Sequence, residues 1–417
     1  MHKIMLALFF VIFGISLAAA QDDSEGEIEQ EVRNVQIIHA GTLLNIAGEE
    51  PLIERSIIVE DGKITTVIDG YVQNDGTDDA AVTIIDLSDK FVMAGMMDMH
   101  VHFASRGDNP AEYALNGVKN AHKTLMIGFT TVRDLGAADD TIFKLRDGIE
   151  AGELIGPRIF AAGNIIGVGG RENGKECNGP ESCRKTTRDM ITGGADWIKI
   201  YSSCSGGRLC SHEDGSPMFF EDEITAITEV AKKYDVKVAA HTHPRDSALQ
   251  VLQYGVRSIE HGSFINEDAM ETMIRNHVYF VPTVSVMDML EEDIADPESD
   301  PIMVAHEKKF LANNPPTILE AYKKGVPIAT GTDAGVVPHG KNYREVERFV
   351  ELGIPNKDAL KMTTVNAADL LEKSDELGTI EAGKIADIIA IDGNPLDTIE
   401  DIRNVTFVMK DGRIYKD

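Results

Sequence analysis

The sequence predicts an α/β fold: a (β/α)8 TIM barrel over residues 91–373, with a small β-sandwich domain built from both chain ends, 32–90 plus 374–417. Three observations lead there. Between Phe91 and about Lys373, short apolar runs alternate with helical stretches, the rhythm of parallel strands joined by crossover helices. Outside those limits, β-branched runs separated by turn residues occur at both ends of the chain. Finally, six side chains suited to catalysis (His100, His102, Lys199, His241, His261 and Asp333) each stand at or just after the end of an apolar run.

Taken in order, residues 1–20 have the make-up of a secretory signal. A basic start, Met1-His2-Lys3, precedes the apolar stretch Ile4 to Leu17, and Ala18-Ala19-Ala20 precede Gln21. The protein is therefore expected to be exported, periplasmic or secreted. The apolar stretch is shorter than a membrane span and no cysteine lies near the cleavage point, so no stable membrane anchor is expected. An acidic flexible segment, 21–31, follows. Val35 to Ile38, Ser56 to Val59, Ile64 to Ile68 and Val82 to Ile85 then read as strands, with Asp61-Gly62 as a turn. Ile388 to Ile391, Val405 to Val408 and Arg413 to Tyr415 read as their partners from the other end. Inside the barrel, Glu221 to Tyr234, Asp246 to Gly255 and Asp268 to His277 read as helices, and Val278 to Val281 as a strand. The Gly-rich stretch Gly163 to Gly174 lacks phosphate-loop spacing and reads as a mobile rim loop.

With 69 acidic against 40 basic residues, the net charge is −29 and the pI about 4.7. Such a surface repels nucleic acid and anionic lipid, and neither is an expected partner. Four cysteines fall in two short loops, and local bridges Cys177–Cys183 and Cys204–Cys210 are expected in an exported chain. Five intervening residues per pair are too many for the usual zinc-knuckle spacing.

The chemistry rests on convergence. Residues i and i+2 of a strand share a face, so His100 and His102 can hold one ion only if their segment is extended. In a (β/α)8 barrel the C-terminal strand ends meet in one pocket. Four imidazoles, a lysine and a carboxylate gathered there read as a metal-dependent hydrolase. Tyr201 shares the strand face of Lys199 and could polarise a scissile carbonyl; a packing tyrosine is the alternative. His243 shares the face of His241 and is a candidate for substrate contact. Arg245 and Arg171 are candidates for a substrate carboxylate, and His339 for the pocket wall.

Five motifs and a C-terminal run carry a resemblance. They are Asp98-Met99-His100-Val101-His102, Gly194 to Lys199, Ala240-His241-Thr242-His243, Ser258 to Gly262, Gly331-Thr332-Asp333-Ala334-Gly335, and Gly378 to Asp387. Together they resemble the amidohydrolase superfamily, in its imidazolonepropionase-like branch of secreted two-zinc dipeptidases and carboxypeptidases, with fungal ochratoxinase in the same neighbourhood. One departure is Ala94-Gly95, where many relatives have Pro-Gly.

The resemblance implies two Zn2+ ions, with His100 and His102 on the more buried one and His241 and His261 on the outer. It implies carboxylated Lys199 as their bridge and Asp333 as buried-metal ligand and proton shuttle. Mn2+ or Co2+ would suit the same ligands. An ammonium would be expelled by two cations, whereas a carbamate becomes a bridging anion, and burial lowers the amine pKa toward the neutral form that reacts with carbon dioxide. The expected reaction is hydrolysis of the amide before a C-terminal amino acid in dipeptides or short peptides, Xaa-Pro among them, by a metal-bridging hydroxide. Alternatives are an amidase of N-acyl amino acids such as ochratoxin-like amides, a cyclic-amide hydrolase, or a secreted zinc-binding protein without catalysis. Relatives often assemble, which leaves a homo-oligomer open.

Overall fold

The computed structural model describes residues 34–73, 81–168, 174–203 and 217–417. The leader-like and acidic segments, 1–20 and 21–31, together with Arg171, Cys204 and Cys210, lie outside the described residues. No helix among the described residues is long and apolar enough to cross a membrane.

Strands from both ends share one seven-stranded sheet. Its order is Arg413–Lys416, Val405–Lys410, Ile388–Ile391, Ala81–Ala94, Asn34–Leu44, Leu52–Glu60, Lys63–Asp69. Only the Asn34–Leu44 and Ala81–Ala94 pair is parallel; the other neighbours run antiparallel. The period of two along a strand divides the central side chains between two cores. Val92, Ala94, Ile388 and Ala390 pack with Ile38, Val59 and Phe407 on one face. Phe91, Met93, Ile389 and Ile391 go to the other face and join the main core. Burial on both sides explains why these runs are continuously apolar rather than alternating.

The rest is parallel sheet and helix. One sheet has the order Tyr279–Val281, Ser258–His261, Lys237–Thr242, Trp197–Tyr201, Ile165–Gly167, Gly174–Glu176, and its neighbours pair in parallel. A second joins Met96–Val101, Phe129–Asp134 and Arg158–Ala161, also in parallel. Backbone contacts link the two. The Asp196 amide donates to the Ala161 carbonyl over 2.8 Å, Phe280 bridges to Ile328, and the Met99 and Asp333 amides donate to Thr330 and His100 carbonyls, each over 2.8 Å. Amphipathic helices, among them Glu221–Lys233, Arg245–Gln253 and Glu267–Asn276, alternate with these strands within a residue or so of the expected bounds.

Two further features bear on the site. The stretch expected as a rim loop contains the strand Ile165–Gly167, whose partner begins at Gly174, so strand pairing claims Gly167 and Gly174, while residues 169–173 lie outside the described residues. A disulfide joins Cys177 to Cys183, the first of the expected bridges.

The two-ended sheet is fastened to the parallel strands through Arg158. Its guanidinium donates to Asp387 Oδ2 over 2.6 Å and to Thr131 Oγ1 over 3.0 Å, and it pairs with Asp411. Asp387 is buried, so its loss strands part of a cation. Asp387→Ala should lower unfolding free energy by on the order of 2 kcal/mol, read from urea denaturation; a change within error would remove this clasp from the account.

Candidate metal centre

Four strand ends and one extended segment deliver the site. His100 leaves the strand Met96–Val101 and His102 follows it; Lys199 and Tyr201 come from Trp197–Tyr201, His241 from Lys237–Thr242, His261 from Ser258–His261. Asp333 arrives on the extended segment beside His100. The donor atoms of His100, His261 and Asp333 all lie within 4.8 Å of one another. Asp333 Oδ1 stands 3.1 Å from His102 Nε2 and 3.7 Å from His100 Nε2, and Lys199 Nζ 3.4 Å from His100 Nε2. The His241 ring centroid is 4.5 Å from that of His261 and 4.2 Å from Tyr201.

Close packing requires absent side chains. A Cβ on Gly331 would stand 2.3 Å from Val281 Cγ1 and 2.9 Å from His100 Cβ, and one on Gly136 2.9 Å from the His102 ring. Backbone strain concentrates at the same place: His261, Thr283 and Asp333 have φ of 70°, 53° and 58°. For β-branched threonine that is a true outlier, costing about 1–3 kcal/mol and held only by its surroundings.

Each ring is oriented from behind. His100 Nδ1 donates to Glu260 Oε2 over 2.8 Å, and His102 Nδ1 to the Gly136 carbonyl over 2.9 Å. His261 Nδ1 donates over 2.8 Å to Thr283 Oγ1, whose own hydroxyl donates to the Pro282 carbonyl. These bonds assign the proton to Nδ1 and leave Nε2 as a lone pair facing the centre, as metal ligation requires. His241 Nε2 and Asp333 Oδ1 are buried without a hydrogen-bond partner among the described residues. Buried unpartnered groups of that kind fit cations held at this centre.

The electrostatics agree. Burial pushes His100 down to about 4 and holds His241 and His261 well below the usual imidazole value, so the rings are neutral at pH 7. Burial also lowers the Lys199 amine to about 8, against the opposing pull of Glu260 and Asp333. Burial would raise Asp333, but the His102 ring 3.1 Å away and the neighbouring rings hold it well below the ordinary carboxylate range. Those three neutral imidazoles, an ionised carboxylate and a readily deprotonated amine are forms that bind metal, while Asp333 beside His102 raises that ring's pKa.

Of the further expected residues, Tyr201 and His243 are in place. Tyr201 and His102 line a cavity of about 230 Å³. His243 stacks on His261 at 5.2 Å, packs near Phe310, and pairs through Nδ1 with Ser263 Oγ at 2.8 Å. His339 lies behind the centre, 3.2 Å from the His102 carbonyl. Arg245 sits apart: it is exposed at its helix start and bonded to Asp246 over 2.8 Å.

Several supports escape sequence reading. Arg133, with no exposed surface, donates to Glu260 Oε1 over 2.9 Å and to the Met99 carbonyl over 2.7 Å, under the Trp197 ring. Asp98 accepts from the His100 and Thr332 amides, the Thr332 hydroxyl and Asn342. Glu345 accepts from the Val284 and Ser285 amides, pinning the strained turn at Thr283. The signal available was a charge inside an apolar strand: Arg133 within Phe129–Asp134, and Glu260 beside His261.

The model of the amidohydrolase family matches residues 91–415. The chain is similar to a Xaa-Pro dipeptidase crystallised with methionine in its active site, at 36% identity and TM-score 0.84 over 92% of this chain and 100% of that one. It is similar to a prolidase complexed with N-methylphosphonate-L-proline, at 27% identity and TM-score 0.81 over 92% and 99%. It is also 26% identical to the ochratoxinase of Aspergillus niger, over 92% of this chain and 87% of that protein.

Two outcomes are expected of the supports. Arg133→Met should cost about 3–5 kcal/mol of stability, because Glu260 remains buried without its cation. In the native protein Glu260 is held below its usual pKa, so its contribution is present at neutral pH and fades in acid. The deficit of the variant should accordingly shrink as pH falls below about 4.5, measured by denaturant titration; a pH-independent deficit would speak against the pairing. Thr283→Val should weaken zinc affinity about 10- to 100-fold, measured by chelator competition.

Proposed function

The chain belongs to the amidohydrolase family, and on that premise we propose that it is a metal-dependent peptidase cleaving the amide before the C-terminal residue of dipeptides and short peptides, Xaa-Pro foremost. That it is a hydrolytic enzyme follows from its family and hydrolase relatives. The observation that carries the finer reading is the close approach of His100, His261 and Asp333 donor atoms, joined to 36% identity with a Xaa-Pro dipeptidase over nearly the whole chain. The strand-end contacts support closure into a (β/α)8 barrel, with the two-ended sheet as a small sandwich. The leader-like start and the Cys177–Cys183 bridge support export, periplasmic or secreted.

His100, His102, His241, His261 and Asp333 would hold two divalent ions, zinc in our reading, with Lys199 bridging as its carbamate. Bound there, the ions would supply Lewis acidity toward the scissile carbonyl and a water acidic enough to ionise at neutral pH. The side chains do the rest. Asp333 Oδ1, ionised and without a hydrogen-bond partner, accepts the proton of the attacking water and returns it to the amide nitrogen, which leaves poorly unless protonated. Tyr201, on the cavity wall, offers its hydroxyl to the developing oxyanion, and His243 contacts the substrate. A second reading, an amidase of N-acyl amino acids such as ochratoxin-like amides, is favoured by the kinship with ochratoxinase.

Zinc-loaded protein screened against Xaa-Pro dipeptides, other dipeptides and N-acyl amino acids tests the substrate. Asp333→Asn should lower kcat by at least about 10³-fold while keeping much of the metal; hydrolysis that survives complete chelation, or that Asp333→Asn leaves intact, would falsify the mechanism. Zinc loading should also fall in bicarbonate-free buffer and recover on adding bicarbonate, and Lys199→Met should abolish that dependence, measured by metal analysis.

A further inference from the structure

We infer that Arg106 and Lys175 form the subsite that takes the anionic end of the substrate. This rests on the hydrolase reading and deepens it, by naming what selects a free carboxylate. The cavity beside the metal centre is walled by His102 and Tyr201 on its inner side. Its rim carries two cations, Arg106 from the loop after His102 and Lys175 from the strand Gly174–Glu176, together with Ser105. No carboxylate is among the described residues that line it. In a chain of net charge −29 that is a marked local reversal. Field lines from two cations over a low-dielectric recess favour an anion there and disfavour a neutral end.

The rim cations come from separate elements that the fold holds in place. The strand bearing Lys175 pairs in parallel with Ile165–Gly167, and directly after it the Cys177–Cys183 disulfide ties the chain to the helix Pro180–Thr192. Glu176, next along the strand, turns to Asn178, which keeps its carboxylate away from the cavity. Both cations are exposed, and neither side chain has a salt bridge among the described residues, so neither must be stripped from such a partner to receive a ligand. Arg245, the basic residue the sequence favours for this task, is engaged by Asp246 and does not line the cavity. Ile165 and Val336 add an apolar wall suited to the side chain or ring that carries the carboxylate.

The test uses full-length zinc-loaded protein and the variants Arg106→Gln, Lys175→Gln and, as a distant surface control, Lys144→Gln. One arm compares kcat/KM for an Xaa-Pro dipeptide with that for its prolinamide. The wild type and the control should prefer the free acid, and each rim variant should reduce that preference about 10- to 100-fold, as loss of a charge-assisted hydrogen bond implies. The other arm measures binding of N-acetyl-L-proline and N-acetyl-L-prolinamide by calorimetry, which needs no turnover. Failure of the peptidase reading would show as no hydrolysis with acid-selective binding intact and lost in the rim variants, which still supports this subsite. Equal affinity of the wild type for acid and amide, or rim variants that keep the wild-type preference, would overturn it.

Discussion

The Arg133–Glu260–His100 chain sets the terms for everything built around it, because an arginine and a carboxylate with no exposed surface must answer each other. Each alone in the interior would cost several kcal/mol. Paired, they spend their remaining capacity on structure: Arg133 on the Met99 carbonyl and Ser258, Glu260 on His100 Nδ1. A strand that would otherwise be held only by its ladder is thus fixed at the residue before the first histidine. The histidine itself receives a negative neighbour behind it, which raises its basicity as a ligand. The same economy recurs with Asp98, whose carboxylate gathers four donors from the segments bearing His100 and Asp333.

Strain is arranged to the same end. His261, Thr283 and Asp333 all occupy left-handed backbone, and all three side chains bear on one point. Relaxing any of them would swing a ligand or its support away. Glu345, accepting two successive amides beside Thr283, and the Asp333 amide bonded to the His100 carbonyl are what keep the turns from relaxing. Burial raises the Glu345 carboxyl to about 8, a further sign that the interior tolerates an unfavourable group for the sake of position.

Much of this was legible in the sequence, for definite reasons. A period of two makes His100 and His102 neighbours on a strand, and a polar residue ending an apolar run marks where a strand leaves the core. Hence the candidate ligands could be named without coordinates, and Tyr201 and His243 with them. The supports were harder to read: a charge inside a strand is the one signal for Arg133 and Glu260, and Glu345 carries no spacing that distinguishes it from a surface charge. Only their three-dimensional neighbours make them buried. The Gly-rich stretch was legible only in part: composition signals a loop, but Ile165 and Ile166 belong to a short strand, Ile165–Gly167, flanked by the edge strand Gly174–Glu176.

The two-ended sheet also acquires a purpose from its connection to the centre. Its middle strand, Ala81–Ala94, runs through Gly95 directly into Met96–Val101, so the segment bearing His100 is a continuation of that sheet. Gly95 makes the junction tight: a Cβ there would fall 2.2 Å from Thr130 Oγ1, on the neighbouring strand. Its amide donates to the Asp387 carbonyl over 2.9 Å, and Asp387 in turn holds Arg158. Because Ile388–Ile391 pairs with Ala81–Ala94, the C-terminal segment clamps the strand that feeds the first two histidines. Ligand geometry at His100 thereby depends on residues almost three hundred positions later, and a chain lacking its C-terminal strands would lose the register of the centre along with the sheet.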